Sequence, residues 1–434
     1  MSNEDSAILK DLQSTLKQKT PLLPPVELRS FVDYYLSRRD TYLQVLKKNP
    51  PPVYILETHV LKAKARQFRE VFKNVLPEVS FYYAVKSNNH PEVAKTLLQS
   101  GFGLDVSSGL ELQMALDLGA HDIVFSGPGK TDQELGLATL HAETVIVLID
   151  SFGELHRLEN IAASQNKKVR AGVRLTTNTS GLWRKFGISP HALPAFWKDA
   201  GQCSHVMLQG LQFHTSWNLS PDAQIDFIKV LGKLLEEMSG PFRKEIVFID
   251  IGGGYWPPQG EWLQAAATPA GRIQSALGKG ADPASNHYRL PATPIESFAK
   301  QLGLEIQKHL FKNVSCRICL EPGRWIVNDA MHLFISVVDK KASNLVIADA
   351  GTNAIGWERF ETDYVPILNL TRPSLNERAC DILGSLCTPH DVWGYSYWGN
   401  DIQNGDLLMV PTQGAYTYSL RQNFIKPVPP VIIV

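Results

Sequence analysis

The chain has 434 residues, 44% of them hydrophobic, with 43 basic and 43 acidic side chains and no net charge. A length of this order fits two domains, or one large domain with an appendage, and the even charge offers no field that favours nucleic acid or an anionic membrane. No apolar run approaches the roughly 18 residues of a membrane span, and MSNEDSAILKDL lacks the basic-then-apolar plan of a secretion signal, so a cytoplasmic protein is expected.

Residues 1–52 read as a charged helical extension that breaks at Asn49-Pro50-Pro51-Pro52. From residue 80 short β-branched and aromatic runs alternate with helical patterns: SFYYAV, GLDV, IVFS, VIVLI, AGVRL, MLQGLQF, IVFIDI and RICLE. Eight strands so spaced predict a (β/α)8 barrel over 53–330, an α/β fold of about 250 residues. The runs end in Lys86, Asp105, Ser126, Asp150, Arg174, His214, Gly252-Gly253-Gly254 and Glu321. A barrel gathers the C-terminal ends of its strands on one rim, where its active sites lie. The stretch 255–300, rich in Gly, Pro, Ala and aromatics, is either a lid or substrate wall or a passive insertion. From 331 to 434 strands follow one another without helices (HLFISVVD, NLVIAD, ILNLT, DLLMVP, PPVIIV), which predicts a C-terminal all-β domain.

The five cysteines, 203, 316, 319, 380 and 387, are odd in number and scattered, which is no disulfide framework. Cys316 and Cys319 have zinc-like spacing, but no second Cys/His pair completes a tetrahedral site, so no metal is expected.

The rim residues suggest chemistry. A lysine at the mouth of an apolar strand is either a snorkelling side chain or a desolvated amine able to condense with an aldehyde. Three glycines after a strand make either a tight turn or a cradle for a phosphate. Glu321 is either an ion-pair partner or a carboxylate that keeps a pyridine nitrogen protonated. Gly323, Arg324 and Tyr416 add candidate phosphate contacts. Together these groups describe a site for pyridoxal 5'-phosphate, with His214 against the ring and Asp105 and Arg174 in the polar lining. His214 alone reads equally as a core histidine.

The motifs YYAVKSN, GFGLDVSS, FSGPGK, RKFGI, DIGGGY, EPGRW, DAGTN, GSLCTPHDVW and NGDLLMVPTQGAY occur in the order of the barrel-fold (fold type III) pyridoxal-phosphate decarboxylases of amino acids, which the chain resembles from about residue 53 to 425. That family includes diaminopimelate, ornithine and arginine decarboxylases. The resemblance implies that Lys86 forms the Schiff base and Glu321 pairs with the pyridine nitrogen. It implies that Gly252, Gly253, Gly254, Arg324 and Tyr416 hold the phosphate. It also implies a homodimer with shared active sites, in which Cys387 protonates the partner's carbanion.

The chain departs from the family where the substrate's far end is read. Trp357 stands where diaminopimelate enzymes carry an arginine, with Arg359 two residues on, and Thr388 follows Cys387 where an acidic residue is usual, although Asp391 remains. In HTSW the usual serine, three residues after the histidine, is Trp217, and Ser216 comes one place early. A buried threonine does not offset the desolvation of an ammonium as a carboxylate does. The expected substrate is therefore an amino acid with an acylated distal amine, such as N-citryl-ornithine or citryl-diaminopropionate of siderophore biosynthesis, with Arg359 or Arg421 facing its carboxylates. The alternatives are a free diamino acid (diaminopimelate, ornithine or lysine), an amino-acid racemase, or a non-enzymatic pyridoxal-phosphate-binding protein. The racemase loses support because Cys387 stands in place of a tyrosine base, and the binding protein because residues 331–434 form an extra domain.

Overall fold

The computed structural model describes residues 3–279, 286–356 and 362–434. Two compact units emerge: Thr58–Pro258 with Thr293–Val327, and Met1–Glu57 with Gln259–Ala292 and Asn328–Val434. Strand β1 (Val53–Leu56) belongs to the second unit. The barrel follows, with β2 (Val79–Ala84), β3 (Gly103–Val106), β4 (Ile123–Phe125), β5 (Val145–Ile149), β6 (Val169–Leu175), β7 (Val206–Phe213) and β8 (Phe248–Asp250). The antiparallel pair β9 (Glu261–Leu263) and β10 (Tyr288–Leu290) intervenes before β11 (Arg317–Leu320) closes the barrel between β8 and β2. All eight barrel pairings are parallel, and these are the eight strands expected from the sequence.

Helix starts are set locally. Ser108, Thr131 and Ser151 each accept the backbone N–H of a glutamate three residues on, and Glu134 completes a capping box with Thr131. Each cap satisfies an orphan donor and contributes about 1 kcal/mol.

Alternation along the strands layers the interior. Tyr82, Val124, Ile146, Leu148, Phe248 and Cys319 form an apolar layer. The Phe248 ring fills the space beside Gly172 and Gly210: a Cβ at Gly210 would meet it at 2.2 Å. Two residues further along these strands, the same face carries Ser126, Asp150, Arg174, Gln212, Asp250 and Glu321. The site is therefore the polar layer directly above an apolar plug.

In the other unit β12 (Met331–Ala342), β13 (Leu345–Ala348), β14 (Leu368–Asn369), β15 (Glu377–Leu383), β16 (Val392–Trp398), β17 (Leu407–Val410) and β18 (Val431–Ile433) join β1 in the order β13-β15-β16-β14-β17-β12-β1-β18. The expected boundary at 53 moves to 57/58, because Val53–Leu56 pairs with β12 and β18 rather than with a barrel strand. A fully buried VYIL run reads alike in either sheet. Helices Pro25–Ser37 and Arg39–Lys48 pack Leu28, Val32, Tyr35, Tyr42 and Leu46 against Phe334, Leu368 and Met409 of this sheet.

The 255–300 segment likewise splits, with Gln259–Ala292 folding into the sheet unit. Trp262 packs on Phe31 at 4.8 Å, and the His287 ring stacks on Tyr364 at 3.4 Å while its Nε2 lies 2.9 Å from Glu377. Among the described residues no helix is long and apolar enough to cross a membrane, and no cluster of His, Cys, Asp and Glu is placed to hold a metal.

Candidate active site

Lys86 sits in a single 3-10 turn, Val85–Ser87, that continues β2. The turn is locked to the end of β11: Ala84 N–H donates to Pro322 O at 3.2 Å, and a Cβ at Gly323 would strike the Ser87 side chain at 2.9 Å. Lys86 Nζ donates to Asp105 Oδ2 at 2.9 Å, and Ser126 Oγ donates to the other oxygen at 2.6 Å. The amine is thus ion-paired and about a third exposed, not enclosed in apolar side chains as the strand run suggested. Asp105 is fully buried. Burial and the Glu321 charge push its carboxyl up, and Lys86 and Ser126 oppose them.

Glu321, at the end of β11, is 2% exposed. Burial pushes its carboxyl up, and the charges of Lys86 and Arg174 act the other way, with the balance below the ordinary glutamate value. Lys86 and Glu321 stand at the ends of the paired strands β2 and β11, on the same rim of the barrel. Gln212 Nε2 donates to Glu321 Oε1 at 3.4 Å. His214 Nδ1 lies 3.6 Å from Glu321 Oε2, too far for a hydrogen bond, and its lone pair accepts the Gly253 N–H at 3.2 Å. The proton then sits on Nε2 and the ring is neutral, in keeping with burial, which pushes its pKa down. Arg174 lies 4.5 Å above the Phe186 ring, and Gly187 N–H donates to Asp150 Oδ2 at 2.9 Å, so the RKFGI segment fixes this corner of the lining.

The triple glycine must be bare. Gly252 and Gly254 have φ of +70° and +84°, and a Cβ on Gly253 would lie 2.2 Å from Glu321 O. The cradle narrows from three amides: Gly252 N–H donates to Asp250 Oδ1 and Gly253 N–H to His214, which leaves the Gly254 amide as the candidate donor. Arg324 stacks over Trp256 at 4.5 Å. The loops after the seventh and eighth barrel strands are where such barrels hold phosphate. A primary amine, an ionised carboxylate, a glycine turn that admits no side chain and a guanidinium are the donor set that pyridoxal phosphate requires, and the residues fit it.

Sequence reasoning missed Gln212, Asp250 and Phe186. Their signal was the two-residue step back from His214 and Gly252, and the residue before Gly187.

In the sheet unit, Cys387 is exposed on the loop after β15, with Thr388 beside it. Asp391 is 2% exposed, and its carboxylate accepts the N–H groups of Thr352 at 2.6 Å and Leu386 at 2.7 Å. These two bonds pin the loop. Tyr416 has φ of +58° in the turn after β17, and Arg421 stacks on Tyr418. Trp357 and Arg359 lie outside the described residues.

Residues 60–328 match the family model described as pyridoxal-dependent decarboxylase, pyridoxal binding domain. The chain is 25% identical to a diaminopimelate decarboxylase of Aquifex aeolicus, over 86% of this chain and 84% of that protein. It is 24% identical to a Staphylococcus aureus decarboxylase named for an L-alanin-3-ylcarbamoyl-methyl derivative of 2-hydroxybutanedioate, over 88% and 93%. The fold is that of a Helicobacter pylori diaminopimelate decarboxylase solved with L-lysine, with TM-score 0.72 and 22% identity over 91% and 94% of the two chains.

Proposed function

The chain belongs to the pyridoxal-dependent decarboxylases of amino acids, and on that premise we propose that its substrate carries an acylated distal amine, as in N-citryl-ornithine or citryl-diaminopropionate. Bound pyridoxal phosphate supplies an aldehyde for the substrate amine and a pyridinium ring that takes up the electron pair left by CO2. Lys86 would hold the aldehyde, Glu321 the proton on the ring nitrogen, and Gly254, Arg324 and Tyr416 the phosphate. Neutral His214 would lie against the ring. In a homodimer, Cys387 would deliver a proton to the partner's site.

One observation carries the substrate reading. Thr388 follows Cys387, and the carboxylate left on that loop, Asp391, is already committed to two backbone amides. A desolvated ammonium without a carboxylate costs several kcal/mol, whereas an amide N–H needs a single acceptor. The Staphylococcus aureus relative, named for an alanine unit bearing a carbamoyl link at its 3-position, supports the same reading. The Aquifex aeolicus relative favours the alternative, a free diamino acid.

CO2 release measured across citryl-ornithine, citryl-diaminopropionate, ornithine, lysine and diaminopimelate decides between them. The conjugates are expected to lead in kcat/KM by about a hundredfold, roughly 2.7 kcal/mol. Equal turnover of any free diamino acid would remove the proposal.

A further inference from the structure

Asp250 closes β8 with its side chain in the polar layer under the site and is fully buried. Its Oδ1 accepts the Gly252 N–H at 2.8 Å, and its Oδ2 has no hydrogen-bond donor. On one side the ladder puts it in register with Gln212 of β7, whose own Oε1 likewise lacks a donor. On the other side β8 pairs with β11, with Asp250 opposite Cys319, and Glu321 N–H donates to Gly252 O at 2.9 Å, so the Asp250 and Glu321 carboxyls enter the polar layer from adjacent strands. Two buried carboxylates facing one chamber from adjacent strands are both acceptors, and they hold each other only if one carries a proton.

Charge decides which one. Glu321 faces the cations Lys86 and Arg174, which favour its ionised form. Asp250 faces Glu321 itself and Asp105, and it also lies near the buried Cys319 and Tyr255, both of which its charge would disfavour ionising. Asp105 is paired with Lys86, whereas Asp250 is fully buried with one oxygen that meets no donor, an unfavourable place for a further negative charge.

We propose that Asp250 is a neutral carboxylic acid in the folded enzyme and donates its proton to Glu321, which makes it the positioning residue that holds the Glu321 carboxylate in place. The hydrogen bond fixes Glu321 from beneath while Gln212 fixes it from β7, so the anion is oriented before any ring nitrogen meets it. The role does not depend on which amino acid is the substrate.

The test uses the holoenzyme and two readouts other than turnover. In wild-type enzyme labelled with 13C at aspartate carboxyls, one aspartate resonance should stay at the protonated position at neutral pH, and Asp250→Asn should abolish it. Finding every aspartate ionised at neutral pH overturns the proposal without any variant. The second readout is the pH titration of the cofactor's visible absorbance. Asp250→Asn keeps an N–H donor toward Glu321 and should superimpose on wild type, with kcat within about threefold. Asp250→Ala should shift that titration and lower kcat at least tenfold at near-constant KM. If Asp250→Asn shifts the titration as far as Asp250→Ala, Asp250 acts as an anion and the proposal is wrong. Should Asp250→Ala fail to fold, the labelled wild type and Asp250→Asn still decide the matter.

Discussion

Glu321 is a carboxylate held ionised in a place where burial alone would neutralise it. Its charge, more than its shape, is what a pyridine nitrogen would use. Glu321→Gln keeps the shape and removes the charge, so kcat and kcat/KM should fall together by at least about tenfold, about 1.4 kcal/mol, in steady-state assays at saturating cofactor. A rise in KM at unchanged kcat would make Glu321 a binding group only. Lys86, His214 and Glu321 were legible in the sequence because each follows an apolar run directly, where a polar residue interrupts the pattern. Asp250 sits inside such a run, IVFIDI, and Gln212 inside another. Their partnership appears only when the β7–β8 register sets them side by side. The bonds of Asp391 to Thr352 and Leu386 were equally hidden, since a carboxylate's choice between a ligand and backbone amides 39 and 5 residues away leaves no local pattern.

The barrel strands show why elements were easier to read than roles. Parallel strands buried on both faces must be near-continuous apolar runs, and helices with Ser or Thr caps separate them. Both signals are local. β15 and β16 escaped because ERACDIL mixes charge into an edge-like burial pattern, and VWGYSYW interrupts its aromatics with Gly and Ser. Glycine inside a strand usually weakens it, yet Gly172 and Gly210 are required by one ring, that of Phe248. Gly210→Ala would drive a methyl into that ring, and thermal or denaturant unfolding should show a loss of about 1–3 kcal/mol. Adding Phe248→Leu should recover part of it, so that the double variant is more stable than the sum of the single effects predicts. Strict additivity would mean that the two positions do not compete for the same space.

At the scale of the whole chain, residues distant in sequence share one fold, and buried glutamates tie them together. Glu57, 1% exposed at the end of β1, accepts from His332 Nε2 at 3.1 Å and from Arg38 of the N-terminal helices. His332 Nδ1 meanwhile accepts the Thr412 N–H, which leaves its one proton on Nε2 for Glu57. Glu377 of β15 accepts from His287, Tyr364 and Ser396, which joins Gln259–Ala292 to the sheet. For both carboxyls burial pushes the pKa up, but these donors outweigh it and leave each below the ordinary value. The sign then follows. The unfolded chain takes up these protons first as pH falls, so the stabilisation is complete above the ordinary glutamate value of about 4.3 and disappears as pH drops through the folded values. Glu57→Gln should therefore cost stability at neutral pH, up to about 3 kcal/mol because Arg38 loses its partner. Below pH ~4 the difference from wild type should shrink. Urea denaturation followed across pH reads both. A Glu57→Gln deficit that stayed constant into acid would mean that the contact contributes through packing alone, and that the proton held off Glu57 has no share in joining the first helices to the sheet.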